Sequence, residues 1–226
     1  MGEKLMLIKR GAEASIYLLE WHGHNVIMKH RLPKKYRLSQ IDERIRSYRT
    51  IHESQLLHFA KEAGVPTPLI YQVDLTNSNI IMEYIEGVQV KQILNDLSPK
   101  ERYDLSSHIG KLIGYLHGHN LIHGDLTTSN MILNKKDRIV FVDFGLGEIS
   151  VDVESKGVDL HLMKRAFQST HFRFAKECFK NVLEGYTKTV GIERSSRVVD
   201  KISEIERRGR YISKRKRGRK NDVNNN

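Results

Sequence analysis

Asp125 and Asn130 stand five residues apart in His123-Gly124-Asp125-Leu126-Thr127-Thr128-Ser129-Asn130, and Asp143 heads the tripeptide Asp143-Phe144-Gly145 a short way downstream. Two carboxylates and an amide at this spacing suit phosphoryl transfer, which needs positioning and charge compensation more than covalent chemistry from the protein. Asp125 is placed to accept or orient the proton of an attacking hydroxyl or water. Asn130 and Asp143 offer oxygen ligands, the kind that magnesium, a hard cation, prefers. The ligands implied are ATP and Mg2+.

These side chains must be brought together by what lies between them. Met131-Ile132-Leu133 and Ile139-Val140-Phe141-Val142 are apolar runs separated by the polar Asn134-Lys135-Lys136-Asp137, a strand–turn–strand pattern that returns Asp143 to the neighbourhood of Asn130. The five-residue Asp–Asn separation and the following Asp-Phe-Gly resemble protein kinase catalytic motifs, which sets expectations for the residues upstream. Lys29 ends the strand Asn25–Lys29 and resembles the lysine that contacts the α- and β-phosphates. Glu53, on a long helical pattern over residues 39–63, is assigned as its carboxylate partner, with Glu43 and Glu62 as alternatives. The small-residue turn Gly11-Ala12-Glu13-Ala14-Ser15 is placed to cover phosphates with backbone N–H groups, although it holds one glycine where kinases use three. Met82-Glu83-Tyr84-Ile85-Glu86-Gly87 resembles a kinase hinge, with the Glu83 carbonyl and the Ile85 N–H as adenine contacts.

The chain has 226 residues, 39% of them hydrophobic, enough for one domain or two small lobes. No apolar run approaches the length of a membrane span, and residues 1–10 are too poor in apolar content for a secretory signal. With Cys178 as the single cysteine no intrachain disulfide is possible, and a cytoplasmic setting is the simplest. The formal net charge is +11, and nine cations fall between residues 207 and 220 with no acid among them. They are Arg207, Arg208, Arg210, Lys214, Arg215, Lys216, Arg217, Arg219 and Lys220. The rest of the chain is therefore close to neutral.

The elements expected around the site follow from periodicity. Residues 5–10 and 16–19 read as strands, and Trp21-His22-Gly23-His24 as a solvated hairpin rather than a metal site. In the helix over 39–63, Ile41, Ile45, Tyr48, His52, Leu56 and Phe59 fall near one stripe, and Gly64-Val65-Pro66 stops it. Residues 69–75 and 80–85 read as strands. Ser98-Pro99-Lys100-Glu101 opens a helix as a capping box, and Leu105, Ile109, Leu112, Ile113 and Leu116 form its apolar face. His117 and His119 read as helix-end or solvated residues. Asp159 is expected to begin a helix carrying Leu160, Met163, Ala166 and Phe167, as an N-cap or as a brace for the catalytic loop. Phe172, Cys178, Phe179, Val182, Leu183 and Tyr186 suggest another helix, and Val198, Ile202 and Ile205 a last one. The closing asparagines, Asn224 to Asn226, are expected to be disordered.

With these residues placed, the chain resembles the small atypical kinases of the KEOPS (EKC) complex, the PRPK-type family related to RIO kinases. The match rests on Gly11-Ala12-Glu13-Ala14, on Gly124-Asp125-Leu126-Thr127-Thr128-Ser129-Asn130, on Asp143-Phe144-Gly145-Leu146, on Val158-Asp159-Leu160, and on Arg165-Ala166-Phe167 with Ser169-Thr170-His171. The resemblance implies a minimal, bilobal, α+β protein-kinase-like fold without an activation segment and with a reduced C-terminal lobe. The expected divisions are a β-rich lobe with one long helix over 1–85, a mainly helical lobe over 86–206, and a basic tail over 207–226. It further implies ATP hydrolysis in support of threonylcarbamoylation of tRNA adenosine, serine autophosphorylation, and two partners, the threonylcarbamoyl transferase subunit and a small subunit that binds the N-terminal lobe.

Some features set the chain apart from ordinary kinases. Gly124 stands where they carry arginine, and Thr127 where they carry lysine, so a transferring phosphate loses one positive neighbour. Few residues follow Gly145 before the next helix, which leaves little platform for a peptide. These features favour water or a docked partner as the phosphate acceptor. Other readings are a free-standing RIO-like serine/threonine kinase, a small-molecule kinase of the aminoglycoside type, for which too few residues follow Asp143, and a non-catalytic RNA-binding scaffold, which would not need the set Lys29, Asp125, Asn130 and Asp143. The basic run at residues 207–220 reads as a tRNA-binding arm, since arginine clusters suit phosphate backbones and stack on bases. Deleting the residues after Ile212 is expected to weaken tRNA binding and spare nucleotide binding. In a salt titration of the intact chain, five to eight phosphate contacts would give a log–log slope of about −4 to −6; unchanged tRNA affinity in the truncated chain would refute the assignment.

Overall fold

A computed structural model describes residues 5–223, with side chains described up to residue 208. In chain order the elements are β1 (Met6–Arg10), β2 (Ser15–Trp21), β3 (His24–His30), α1 (Ser39–Glu62), β4 (Ile70–Asp74), β5 (Asn79–Glu83), β6 (Gly87–Gln89) and α2 (Val90–Ile93). Then come α3 (Pro99–Gly118), β7 (Leu121–Ile122), a 3-10 turn (Thr128–Asn130), β8 (Met131–Asn134), β9 (Ile139–Phe141), β10 (Glu148–Ile149), α4 (Val153–Thr170), α5 (Ala175–Val190) and α6 (Ile192–Val223). The fold is α+β and forms two compact units, the first made of Met1–Leu97 with His123–Glu148 and the second of Ser98–Ile122 with Ile149–Asn226.

The first unit is built on a five-stranded antiparallel sheet in the order β1-β2-β3-β5-β4. The β2–β3 hairpin pairs Ser15 with His30 and Ile16 with Lys29, so the end of the small-residue turn sits beside the strand-borne lysine. Helix α1 takes the bounds that Gly64 and Pro66 predict, but its inward face is not the predicted stripe. Asp42, Thr50, Glu53, Leu56, Leu57 and Ala60 are buried, whereas Ile41, Tyr48 and Phe59 are exposed. The reason is electrostatic: the upper half of this face meets buried cations, so carboxylates rather than aliphatics turn inward. Asp42 accepts from Arg46 at 2.8 Å and from Arg37 at 3.4 Å, and Arg46 also donates to the Ser78 hydroxyl at 3.0 Å. These contacts pin the basic connector between β3 and α1. A second sheet, β6-β8-β9, carries the predicted hairpin, with Met131 opposite Phe141 and Leu133 opposite Ile139. Its turn closes on the Asn134 amide oxygen, which accepts from the Lys136 and Arg138 N–H groups.

The second unit is helical. The predicted capping box forms: Ser98 Oγ accepts from the Glu101 N–H at 3.3 Å, and the Glu101 carboxylate accepts from the Ser98 N–H at 2.8 Å. Leu105, Ile109, Leu112, Ile113 and Leu116 are all buried. His117 is not solvated; only 2% of it is exposed, and it lies between Asp159 Oδ2 at 3.2 Å and the Tyr186 hydroxyl at 3.1 Å. Asp159 is not an N-cap, because α4 begins six residues earlier, at Val153; its carboxylate is drawn into the core by the histidine of α3. Burial pushes the Tyr186 phenol well above its ordinary value, and the Asp159 charge adds to the shift. Phe172 precedes α5 and is exposed, so it takes no part in that helix's buried face. Helix α6 runs without a break past residue 206, so the basic run continues a helix instead of following one. Asn224 to Asn226 lie outside the described residues. Among those described, no helix is long and apolar enough to cross a membrane.

Helices α3 and α5 meet backbone to backbone. A Cβ placed on Gly110 would come within 1.9 Å of the Val182 carbonyl oxygen, and one on Gly185 within 1.9 Å of the Ser107 carbonyl oxygen. Main-chain atoms cannot yield as a flexible side chain would, so these glycines set the distance between the helices. Gly185→Ala is expected to destabilise the chain by roughly 1–3 kcal/mol or more through overpacking, read as a lower midpoint in urea denaturation. Alanine at the open Gly118 position, where a Cβ meets nothing within 4 Å, serves as the control.

Candidate active site

The site lies wholly within the first compact unit. Lys29 on β3 donates to Glu53 Oε1 at 2.5 Å and to Asp143 Oδ1 at 2.7 Å. Of the three glutamates considered on α1, only Glu53 is buried; Glu43 and Glu62 face outward. Burial by itself would lower the Lys29 ammonium, but the charges of Glu53 and Asp143 outweigh it and hold the lysine above its ordinary value. Burial alone would raise Asp143, but the Lys29 charge and hydrogen bond hold it below the usual carboxylate value. Both groups are therefore charged at neutral pH.

Asp125 and Asn130 are locked to each other. The Asn130 amide nitrogen donates to Asp125 Oδ2 at 2.8 Å and to the Asp125 carbonyl at 3.0 Å. That use of the nitrogen leaves the amide oxygen as the atom for a cation. The Val142 N–H donates to the Asn130 carbonyl at 2.9 Å, which closes the hairpin one residue before Asp143. Asp143 itself takes a left-handed backbone, φ 66°, a conformation that Asp tolerates better than most residues and that aims its carboxylate back at Lys29. The donor set fits magnesium. It offers a carboxylate and an amide oxygen, the hard oxygen ligands that magnesium takes alongside phosphates and water.

The turn over residues 11–15 lies above a cavity of about 210 Å³ whose lining includes Ala12, Glu13, Lys29, Arg31, Asp125 and Asp143. The Gly11 N–H donates to the Ala14 carbonyl at 2.9 Å, and Ser15 is buried. Lys34 from the connector donates to the Ala12 carbonyl, and Arg49 of α1 pairs with Glu13, so the turn is strapped from two sides. The volume suits the phosphate end of a nucleotide. Glu83 and Ile85 line a different hollow, together with Val65, Pro66 and Val140, and the structure does not bring them to the phosphate cavity. The Glu83 carboxylate accepts from the Leu69 N–H at 3.0 Å, a side-chain role that the sequence did not reveal. Arg207 and Arg208 lie on α6 in the second unit, where Arg208 pairs with Glu154; the side chains of Arg210, Lys214, Arg215, Lys216, Arg217, Arg219 and Lys220 lie outside those described.

Other contributors went unread in the sequence. His123 is fully buried, donates from Nε2 to the Val142 carbonyl at 3.2 Å, and so presents Nδ1 as acceptor to the Asp125 N–H at 3.3 Å. Its ring lies 4.4 Å from that of Phe144, also fully buried. Arg31, the first residue of the basic connector over residues 31–37, is 3% exposed and donates to Glu53 Oε2 at 2.5 Å. A buried cation next to a charge pair leaves no mark in periodicity, and Arg31 lies just past the end of β3, where strand alternation gives no guide.

The geometry is that of a protein kinase domain, and the protein kinase domain family matches residues 5–190. The KEOPS complex subunit Bud32 of Pyrococcus abyssi is 46% identical over 213 residues, which cover 92% of this chain and 96% of that protein. Probable bifunctional tRNA threonylcarbamoyladenosine biosynthesis proteins of Methanothermobacter thermautotrophicus and Methanobrevibacter smithii are each 44% identical over 205 residues, 91% of this chain but 36% of those longer proteins. The chain belongs to the protein kinase domain family and, within it, to the KEOPS subunit Bud32 family.

Gly124 sits between His123 and Asp125 with φ 78°, and a Cβ there would meet the Leu146 carbonyl oxygen at 2.0 Å. The arginine of ordinary kinases has no room at this position. Gly124→Ala is expected to cost about 1–3 kcal/mol in backbone strain alone, and to move Asp125 away from Asn130. A lowered melting temperature together with weakened Mg-ATP binding is the outcome looked for; a variant with wild-type values in both would contradict it.

Proposed function

We propose that this chain binds ATP with magnesium and hydrolyses it as the kinase-like subunit of a KEOPS assembly that makes threonylcarbamoyladenosine in tRNA. The observation that carries the reading is the joined set Lys29–Glu53, Lys29–Asp143 and Asp125–Asn130 under one phosphate-sized cavity. The biological setting is supported by the names of the relatives, and in particular by longer relatives called bifunctional, where this kinase-like sequence is about a third of one chain.

Each residue then has a task. Lys29, fixed by Glu53, holds the α- and β-phosphates. Asp125, held in place by Asn130 and by the His123 ring, accepts or orients the proton of the attacking oxygen. Asn130 and Asp143 hold magnesium, which when bound offsets the charge of the phosphates. The Gly11–Ser15 turn covers the phosphates, and Glu83 and Ile85, which lie outside the phosphate cavity, are the positions whose backbone groups would meet adenine. Water or a docked protein receives the phosphoryl group, because only residues 146–152 separate Gly145 from α4 and no peptide platform can be built from so few. Serine autophosphorylation is the side reaction consistent with such a site. The transferase subunit, a small subunit on the sheet unit and tRNA, met by the basic run from Arg207 to Lys220, complete the cytoplasmic assembly.

The test is phosphate release from ATP by the purified chain alone, with the transferase subunit, and with tRNA. Release is expected to depend on the partner and to fall by about a hundredfold or more in Asp125→Ala, the range lost when a positioned general base is removed. Strong transfer to a general protein substrate without any partner would favour the free-standing RIO-like kinase instead.

A further inference from the structure

We infer that Arg31 is a positioning residue of the phosphate site: a second buried cation that shares Glu53 and thereby leaves the Lys29 charge available to the nucleotide. The inference rests on the nucleotide reading above and assigns a role that the lysine–glutamate pair alone does not contain.

Glu53 is 1% exposed, and each of its oxygens has its own cation, Lys29 on Oε1 and Arg31 on Oε2, both at 2.5 Å. A lone lysine–glutamate pair would be neutral, with the carboxylate answering the ammonium in full. Here the carboxylate is divided, and Lys29 reaches for a second anion, Asp143, at 2.7 Å. Lys29 therefore has charge to give, and the phosphates of a nucleotide can take the place of Asp143 once that carboxylate turns to a metal. Arg31 is not merely parked beneath the site. It lines the same cavity as Lys29, Asp125 and Asp143, and a Cβ built on Gly145 would lie 3.5 Å from both Arg31 Nη2 and Lys29 Nζ.

Nothing else in the site uses Arg31 fully. Its Nη2 also reaches the Arg49 carbonyl at 3.4 Å, while its Nε is buried without a hydrogen-bond partner. A buried unsatisfied guanidinium nitrogen is costly to keep, and its place beside an anion cavity provides a reason to keep it.

Binding of Mg-ATP and of adenosine is measured by equilibrium dialysis for the intact chain and its variants. Arg31→Gln is expected to weaken Mg-ATP binding about ten- to a hundredfold, the scale of one lost charge-assisted hydrogen bond, and to leave adenosine binding unchanged. Arg31→Lys should recover most of the loss. Because the effect passes through Glu53, the double variant Arg31→Gln with Glu53→Gln should bind Mg-ATP no worse than Glu53→Gln alone, and this comparison holds the inference to account if Arg31→Gln by itself folds poorly. Equal weakening of Mg-ATP and adenosine, or additive losses in the double variant, would mark Arg31 as a packing residue and overturn the inference. A wild-type chain that binds neither ligand would instead overturn the nucleotide reading on which it stands.

Discussion

One buried carboxylate organises the sheet unit. Glu53 stands on a helix, Lys29 and Arg31 at the end of a strand, and none of the three is more than 6% exposed. Charges withdrawn from water this far persist only if each meets its opposite, since the desolvation of one unpaired ion exceeds what packing can return. The requirement fixes the rotation of α1 about its axis, because only one setting brings Glu53 over β3. The same requirement explains why the inward face of this helix is polar in its first half and apolar in its second. Electrostatics seats the end near the phosphate cavity, and Leu56, Leu57 and Ala60 seat the other.

The second constraint is the return of the chain at β8 and β9. A short ladder, three residues long in register, brings Asp143 round to Lys29 while Asn130 stays with Asp125. The local backbone takes positive φ at Gly124, at Asp137 in the turn between β8 and β9, and at Asp143. At Gly124 the conformation and a close backbone approach together admit glycine alone. At Asp143 a polar residue accepts the strain because its carboxylate is paid with a buried ammonium. Strain and function coincide there because the same contacts hold both in place.

In the helical unit, stability is arranged differently. Gly110, Gly114 and Gly185 allow α3 and α5 to meet closely; the space beside Gly110 and Gly185 is taken by main chain, and that beside Gly114 by the Thr189 side chain. A buried polar cluster, His117 with Asp159 and Tyr186, is hydrogen-bonded within the apolar core around Leu160, Met163 and Phe167. A buried network of this kind adds specificity of packing when all its members are satisfied.

Much of this was legible in the sequence because the signals are local. The spacing of Asp125, Asn130 and Asp143, the strand–turn–strand return, the capping box at Ser98 and the stop at Gly64 depend on residues near one another, where backbone stereochemistry and short-range hydrogen bonds decide the outcome. The kinase motifs follow from the same signals, and the α+β class from the family resemblance that those motifs carry. What the tertiary structure alone decided depends on partners far apart in the chain. Periodicity put Ile41, Tyr48 and Phe59 on the inner face of α1 and read His117 as no more than a helix-end or solvated residue, because it cannot register a cation arriving from β3 or a carboxylate arriving from α4. Arg31 looked like one basic residue among several, and only the placement of Glu53 and the phosphate cavity distinguishes it. Apolar burial is written in a helix's own sequence; the burial of charge is written in its partner's.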